Sequence, residues 1–406
     1  MNDKKRKTRQ LATILFTNLI SVIGMSVVIP ILPFYVESLG ASPIIVTALF
    51  SVFSICSFVS APYLGSLSEK LGRKPVLMAS IASTSVGWFV FAIARNPILL
   101  FVGRIIDGLA AGDFSIAQNI LGDIAEDEKE RKKFFGFFGA TFAAGFILGP
   151  VLGGLLAEYS PSAPFFIVSG LAVLNLIMVH FVIPETNMHA DKQKKVELNP
   201  INPILKAAKD RELRKVMLSW FFFMMSVSGV QSVASLYMKE RFMLRPMFIG
   251  LAMVVGSVIV ILNQIFGMKF WTASRKDELV ERGMLLVASI GYFLIIGNIF
   301  IAVLGALICT ITESTLRAFF SERIFSRAKP GEQGEIIGTQ SSLMSLAFAI
   351  MPMFAGLAFI NHKSLPFIAS SILTFVAFTI STKFLPKEFP SKVQPENLNA
   401  DELSGF

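Results

Sequence analysis

Apolar residues run along this chain in stretches of about twenty, the length an α-helix needs to cross a bilayer core of roughly 30 Å, and short polar segments separate them. Such stretches begin near Leu11, Ile44, Val76, Pro97, Phe134, Pro164, Val216, Met247, Met284, Ile301, Ile336 and Leu365. The pattern predicts an all-α membrane protein with twelve transmembrane helices. The spacing is tightest between Met284 and Phe320, where two spans and a turn must fit, and the boundary near Asn298 is the least defined. From Pro184 to Lys215 hydropathy falls, cations mix with acids, and Pro200 and Pro203 break any continuous helix. This segment reads as a linker between two six-helix bundles. The expected order is a basic N-terminus (1–10), a first bundle (11–183), the linker (184–215), a second bundle (216–386) and a tail (387–406).

Composition agrees with this reading: 53% of the 406 residues are apolar, 16% are charged and 39 are Phe. The first span follows MNDKKRKTRQ and is too long for a signal-peptide core, so it is retained as a helix. With the N-terminus inside, about 31 of the 37 Lys and Arg fall on the inner side, five on the outer, and Arg104 within a span. The net charge of +9 therefore reports topology, with both termini expected on the cytoplasmic side of the cell membrane. The cations are spread over many loops, which argues against nucleic acid as a partner. Cys56 and Cys309 fall in separate spans, and His180, His189 and His362 lack neighbouring ligand types, so no metal site is expected. Neither a nucleotide-binding loop nor a nucleophile–base constellation is present, so ATP-driven transport and enzymatic activity are not expected. Chains built as two repeats bind cargo near the bilayer midplane between the halves, which points to transport.

Three motifs stand in order in the first bundle. GSLSEKLGRKPVL (Gly65–Leu77) joins spans 2 and 3, GRIIDGLAAG (Gly103–Gly112) lies in span 4, and GFILGPVLGG (Gly145–Gly154) lies in span 5. They resemble the loop 2–3 signature, the span 4 arginine motif and the span 5 antiporter motif of the major facilitator superfamily. VIPILP (Val28–Pro33) and PET (Pro184–Thr186) resemble the ends of spans 1 and 6 in tetracycline-efflux-type and quinolone-efflux-type drug:proton antiporters. The resemblance is close over residues 11–186 and thinner afterwards. It implies a proton-coupled exporter of small amphipathic compounds working by rocker-switch alternating access, with the proton gradient as energy source, no cofactor, the bilayer as its surroundings and a monomeric state.

The motif residues suit such a machine. Gly65 and Gly72 permit a tight turn and close helix approach, Glu69 can face a helix N-terminus, and Arg73, beside Lys74, can pair with Asp123. Together they form a candidate gate, with Glu69 where the family generally has Asp. Gly145, Gly149 and Gly153 recur every four residues as a smooth packing face, Pro150 adds a kink, and Gly154 completes the string. In span 4, Arg104, Asp107, Gly108, Ala111, Ser115, Gln118 and Gly122 form one polar stripe expected to face a central cavity, and Arg104 can pair with Asp107. Asp113 falls on the opposite, apolar arc and must meet a neighbouring helix or be neutral.

The family's cavity is lined by spans 1, 7 and 10, and matching positions here include Asn18, Ser21 and Met25 in span 1 and Met224, Gln231 and Ser235 in span 7. Span 10 adds Glu313 and Arg317. The span 1 position that holds an aspartate in tetracycline pumps is Ser21, and Gln231 stands where quinolone pumps show a glutamate. Proton coupling is therefore expected to rest on Asp107, Asp113 or Glu313, with Arg104 beside Asp107, or else the substrate differs in charge from those of the better-known pumps. A specific metabolite transporter, for a sugar or amino acid, and a non-transporting receptor on the same fold are the alternatives.

Overall fold

The computed structural model describes residues 3–187, 204, 210–273, 277–327 and 333–383. The expected linker falls largely outside these residues, and the expected tail lies wholly outside them. Among the described residues every regular element is helical: α1 (Asp3–Ser38), α2 (Ile44–Leu71), α3 (Arg73–Ala92), α4a (Pro97–Leu109), α4b (Asp113–Ile124), α5 (Glu128–Ala157) and α6 (Ala163–Val182), then α7 (Arg211–Phe242), α8a (Pro246–Leu262), a π-turn (Asn263–Gly267), α8b (Met268–Ala273), α9 (Asp277–Leu294), α10 (Ile299–Phe325), α11 (Gln333–Asn361) and α12 (Leu365–Lys383). These form twelve crossing segments, and the chain is a multi-pass membrane protein. Ten are long and apolar enough to span a membrane, α8 being counted through its π-turn. The other two are α4, interrupted at Ala110–Gly112, and α9, whose first turns carry Glu278, Glu281 and Arg282.

Side-chain caps fix several helix starts. Asn96, Asp127 and Asn298 accept hydrogen bonds from the N–H groups of Leu99, Glu130 and Ile301, opening α4a, α5 and α10. The cap at Asn298 settles the boundary that hydropathy leaves undefined. The tight spacing there is relieved because α9 begins at Asp277 and α10 continues to Phe325, so the charged turns at both ends belong to the helices.

Water does not drive helices together inside a bilayer, so small residues and interhelical hydrogen bonds do that work. Ser85 and Ser169 exchange hydroxyl-to-carbonyl bonds of 3.1 and 2.9 Å between α3 and α6. Ser289 and Ser371 repeat the exchange at 2.9 and 2.8 Å between α9 and α12. Gly87 and Gly103 bring α3 and α4a into backbone contact, and Gly291 and Gly305 do the same for α9 and α10. The two halves are thus built on one packing plan.

Within the first half, α1 packs on α5 and α6, and α3 on α4a and α6; within the second, α7 packs on α11 and α12, and α9 on α10 and α12. The halves meet along α2–α11 and α5–α8. The face carrying Asp3 and the Gly72 turn is termed the inner face, after the orientation expected from the charge distribution. Cross-half contacts crowd the opposite, outer face. Gly356 of α11 lies so near Thr47 of α2 that an added Cβ would sit 1.9 Å from its Oγ1, and a Cβ on Gly154 of α5 would sit 3.0 Å from the Met247 Cα of α8a.

Candidate functional site between the two halves

The break in span 4 organises the centre of the first half. It makes Asp113 the first residue of α4b, where unsatisfied N–H groups and the helix dipole favour a carboxylate. The same break disrupts the single 100° register, so the stripe expected from Arg104 to Gly122 does not continue across it. Asp113 is buried, and Ser21 of α1 donates its hydroxyl to the Asp113 Oδ2. The carboxyl thus meets the neighbouring helix at the position where span 1 lacks an acid of its own.

Arg104 and Asp107 do not line a cavity. The guanidinium is buried and lies 3.5 Å from the Asp107 carboxylate, with the rings of Trp88, Phe91 and Phe53 at 4.9, 5.3 and 5.4 Å. Aromatic faces from α2 and α3 and one carboxylate supply the partners that a cation needs away from water. Periodicity alone did not say that α3 would cover this side of α4a.

Other predicted cavity residues divide in the same way. Asn18 is buried, donating to the Phe138 carbonyl (2.8 Å) and Thr141 Oγ1 (2.7 Å) of α5. Met224 is fully buried in a core with Trp220 and Phe320, and Ser235 is buried as well. These three serve packing. Met25 is 45% exposed although α1 is surrounded by α4b, α5, α6 and α7, so it faces a space inside the bundle. Ser21, Gln118, Gln231 and Arg317 are half-buried. In α10, Glu313 accepts a 2.6 Å hydrogen bond from the buried Tyr292 hydroxyl of α9. The possible Glu313–Arg317 ion pair is not formed.

At the inner face, only Gly72 separates α2 from α3, with φ of 103°. Gly65 lies inside α2 with nothing within 4 Å of an added Cβ, so it serves neither turn nor close approach. The α3 N-terminus is occupied by Glu185, whose carboxylate accepts from the N–H groups of Arg73 (2.8 Å) and Lys74 (3.1 Å). That role was expected of Glu69, whose carbonyl instead accepts from Asn187 at 3.0 Å. Arg73 pairs with Asp123, which also accepts from Thr186 at 2.9 Å, while Lys74 donates to the His180 carbonyl at 2.8 Å. The PET segment thereby fastens α2, α3, α4b and α6 together.

A second inner cluster was not seen in the sequence. Arg323 of α10 donates to both oxygens of Glu281 of α9 at 2.8 Å, both side chains are buried, and Ser381 of α12 donates to Glu281 at 3.0 Å. Its polarity is reversed: α3 carries the cation of the first half, whereas α9 carries the acid of the second.

The span 5 motif lies between α1 and α8a. Cβ atoms on Gly145, Gly149 and Gly153 would strike Val22, Ser26 and Ile31 of α1, while the Pro150 carbonyl presses on Gly250 of α8a. At the outer face, Lys239 of α7 crosses to α1, donating to the Pro33 carbonyl at 3.1 Å, pairing with Glu37 and lying 4.8 Å from the Phe34 ring centre. Arg245 pairs at 3.0 Å with Glu158, the residue that follows α5. Bonds that cross between the halves thus gather on this face.

The model of the Major Facilitator Superfamily matches residues 14–324. The class C tetracycline resistance protein of Escherichia coli is 29% identical over 267 residues, covering 64% of this chain and 67% of that protein. The quinolone resistance protein NorA of Staphylococcus aureus (strain COL) is 25% identical over 398 residues, 96% of this chain and 100% of its own length. Among solved structures, the human organic anion transporter MFSD10 (TETRAN) superposes with a TM-score of 0.67 at 20% identity, covering 92% of this chain and 99% of that one. A peptide transporter POT gives 0.75 at 15% identity, over 91% and 93%.

Proposed function

The chain belongs to the Major Facilitator Superfamily, and on that premise we propose that it exports small amphipathic compounds in exchange for protons, by rocking its two halves about a site between them. The observation that carries the reading is the Asp113–Ser21 contact. A serine hydroxyl donates to an ionised carboxylate and accepts from a protonated one, so this pair holds either state without moving a helix. The acid that tetracycline pumps place on span 1 is delivered to the same position from span 4. The names of the tetracycline and quinolone resistance relatives support drug export as the class of activity.

In this mechanism the inner face opens to the cytoplasm, and cargo enters beside Met25, Gln118 and Gln231. A proton arriving from outside neutralises Asp113 and is released inside, and Glu313 with Tyr292 offers a second carboxyl in the other half. The Arg104–Asp107 pair and its ring cage keep α4a joined to α3 through the cycle. A pH difference of one unit is worth about 1.4 kcal/mol per proton, enough for a roughly tenfold cargo gradient at one-to-one exchange.

The test is dye movement in inside-out vesicles with an imposed pH gradient. Wild-type protein should accumulate a lipophilic cationic dye only while the gradient lasts. Asp113→Asn should abolish that accumulation yet still allow downhill dye exchange. Accumulation that ignores the gradient would refute proton exchange.

A further inference from the structure

The outer face holds few cations, and four of them gather at one place. Lys239, Arg241 and Arg245 lie at or just beyond the end of α7, and Lys363 lies in the α11–α12 turn. Among them a cavity of about 660 Å³ opens between the halves. Ser42 and Pro43, from the α1–α2 turn, line it from the first half; Ile296, Phe359 and the fully buried Tyr237 line it from the second. Of its charged groups, Glu240 and Lys363 pair with each other at 2.9 Å. Arg241, which is exposed, has no ion pair among the described residues. The Tyr237 hydroxyl is buried without a hydrogen-bond partner among the described residues.

A cavity of this size falls in the range that holds drug-sized ligands, and its lining mixes an apolar side (Pro43, Ile296, Phe359, Ile360) with Asn361, His362, Ser364 and one guanidinium that no carboxylate pairs among the described residues. A guanidinium recognises a carboxylate through two parallel N–H bonds, and the aliphatic and aromatic wall accepts a ring. We propose that this cavity binds an amphipathic organic carboxylate from the outer side, with the acid on Arg241 and the ring between Pro43 of the first half and Ile296 and Phe359 of the second. Both halves line the site while the outer face is closed, so a bound carboxylate favours that arrangement over one in which the halves part. The site is therefore a brake worked from outside.

The probe is 2-naphthoate, with uncharged 2-naphthamide as its control, titrated onto purified full-length protein in nanodiscs. Naphthoate should bind at least tenfold more tightly than naphthamide. Arg241→Gln should remove that advantage, and Ser42→Trp, which fills the cavity from the first half, should weaken both probes. Equal binding of the two probes, or naphthoate affinity unchanged in either variant, overturns the site. For the brake, naphthoate outside right-side-out vesicles should slow labelling of Met25→Cys by an impermeant maleimide added outside. An unchanged or faster rate overturns that part.

Discussion

Lys239→Met should unlatch the outer face. The substitution keeps an unbranched apolar stem of similar length and removes the ammonium, so the lost interactions can be estimated one by one. Its Glu37 partner is 70% exposed, which limits the ion pair to roughly 0.2–1 kcal/mol. The bond to the Pro33 carbonyl is charge-assisted and contributes about 1.5 kcal/mol, and the Phe34 ring adds roughly 0.5 kcal/mol. Because these terms share one ammonium they do not add fully, and about 2 kcal/mol is a fair total. That shifts the ratio of outer-open to outer-closed molecules about thirtyfold. The assay labels Met25→Cys with an impermeant maleimide added outside, in a background with Cys56 and Cys309 changed to Ala. Labelling should accelerate by an order of magnitude or more with Lys239→Met, and Glu37→Gln alone should give only a few-fold change. Equal rates for wild type and Lys239→Met would refute the latch.

Other sites give sharper stability signals. Gly149→Ala places a methyl 1.9 Å from the Ser26 hydroxyl and should lower stability by about 1–3 kcal/mol in thermal melts. Adding Ser26→Ala should recover part of that loss, and additive losses would argue against the contact. Glu281→Ala leaves the Arg323 guanidinium buried without its main partner and should cost about 3–5 kcal/mol. Replacing both residues by Met should restore most of it, as read by denaturant-induced loss of helicity. Glu185→Gln removes charge from the α3 N-terminus and should cost about 1 kcal/mol, with Glu69→Gln much milder. The reverse order in melting temperature would return the capping role to Glu69.

Much of the fold was legible because lipid imposes one rule on every span: a run of apolar residues long enough to satisfy its own backbone. What escaped was set by neighbours. The interruption at Ala110–Gly112 contains no proline, and what marks it is contact with α2: the close approaches of Gly108 to Cys56 and of Gly112 to Leu64, and the Ser60 hydroxyl on the Gly108 carbonyl. Arg104 and Asp107 were recognised as costly, yet their direction depended on Trp88 and Phe91 of α3. The Arg73–Asp123 pair was legible since its partners end adjacent spans. Glu185 was not, because PET reads as the end of a span and nothing local says that it folds back over Gly72. Glu281 and Arg323 looked like loop charges until α9 and α10 proved longer than their apolar stretches.

The shared packing plan also allows the chain to be compared with itself. The register that carries Asn96 onto Asn298 and Gly103 onto Gly305 carries Arg104 onto Ala306, Asp107 onto Cys309 and Asp113 onto Thr315; read backwards, it carries Glu313 onto Ala111. Caps and glycine contacts survive this self-alignment, and the membrane-embedded acids do not. Scaffold is what the two copies kept in common, and specialisation is what each changed alone. A designer who wanted to swap the chemistry between halves would leave the caps and glycines in place and exchange only those unmatched acids.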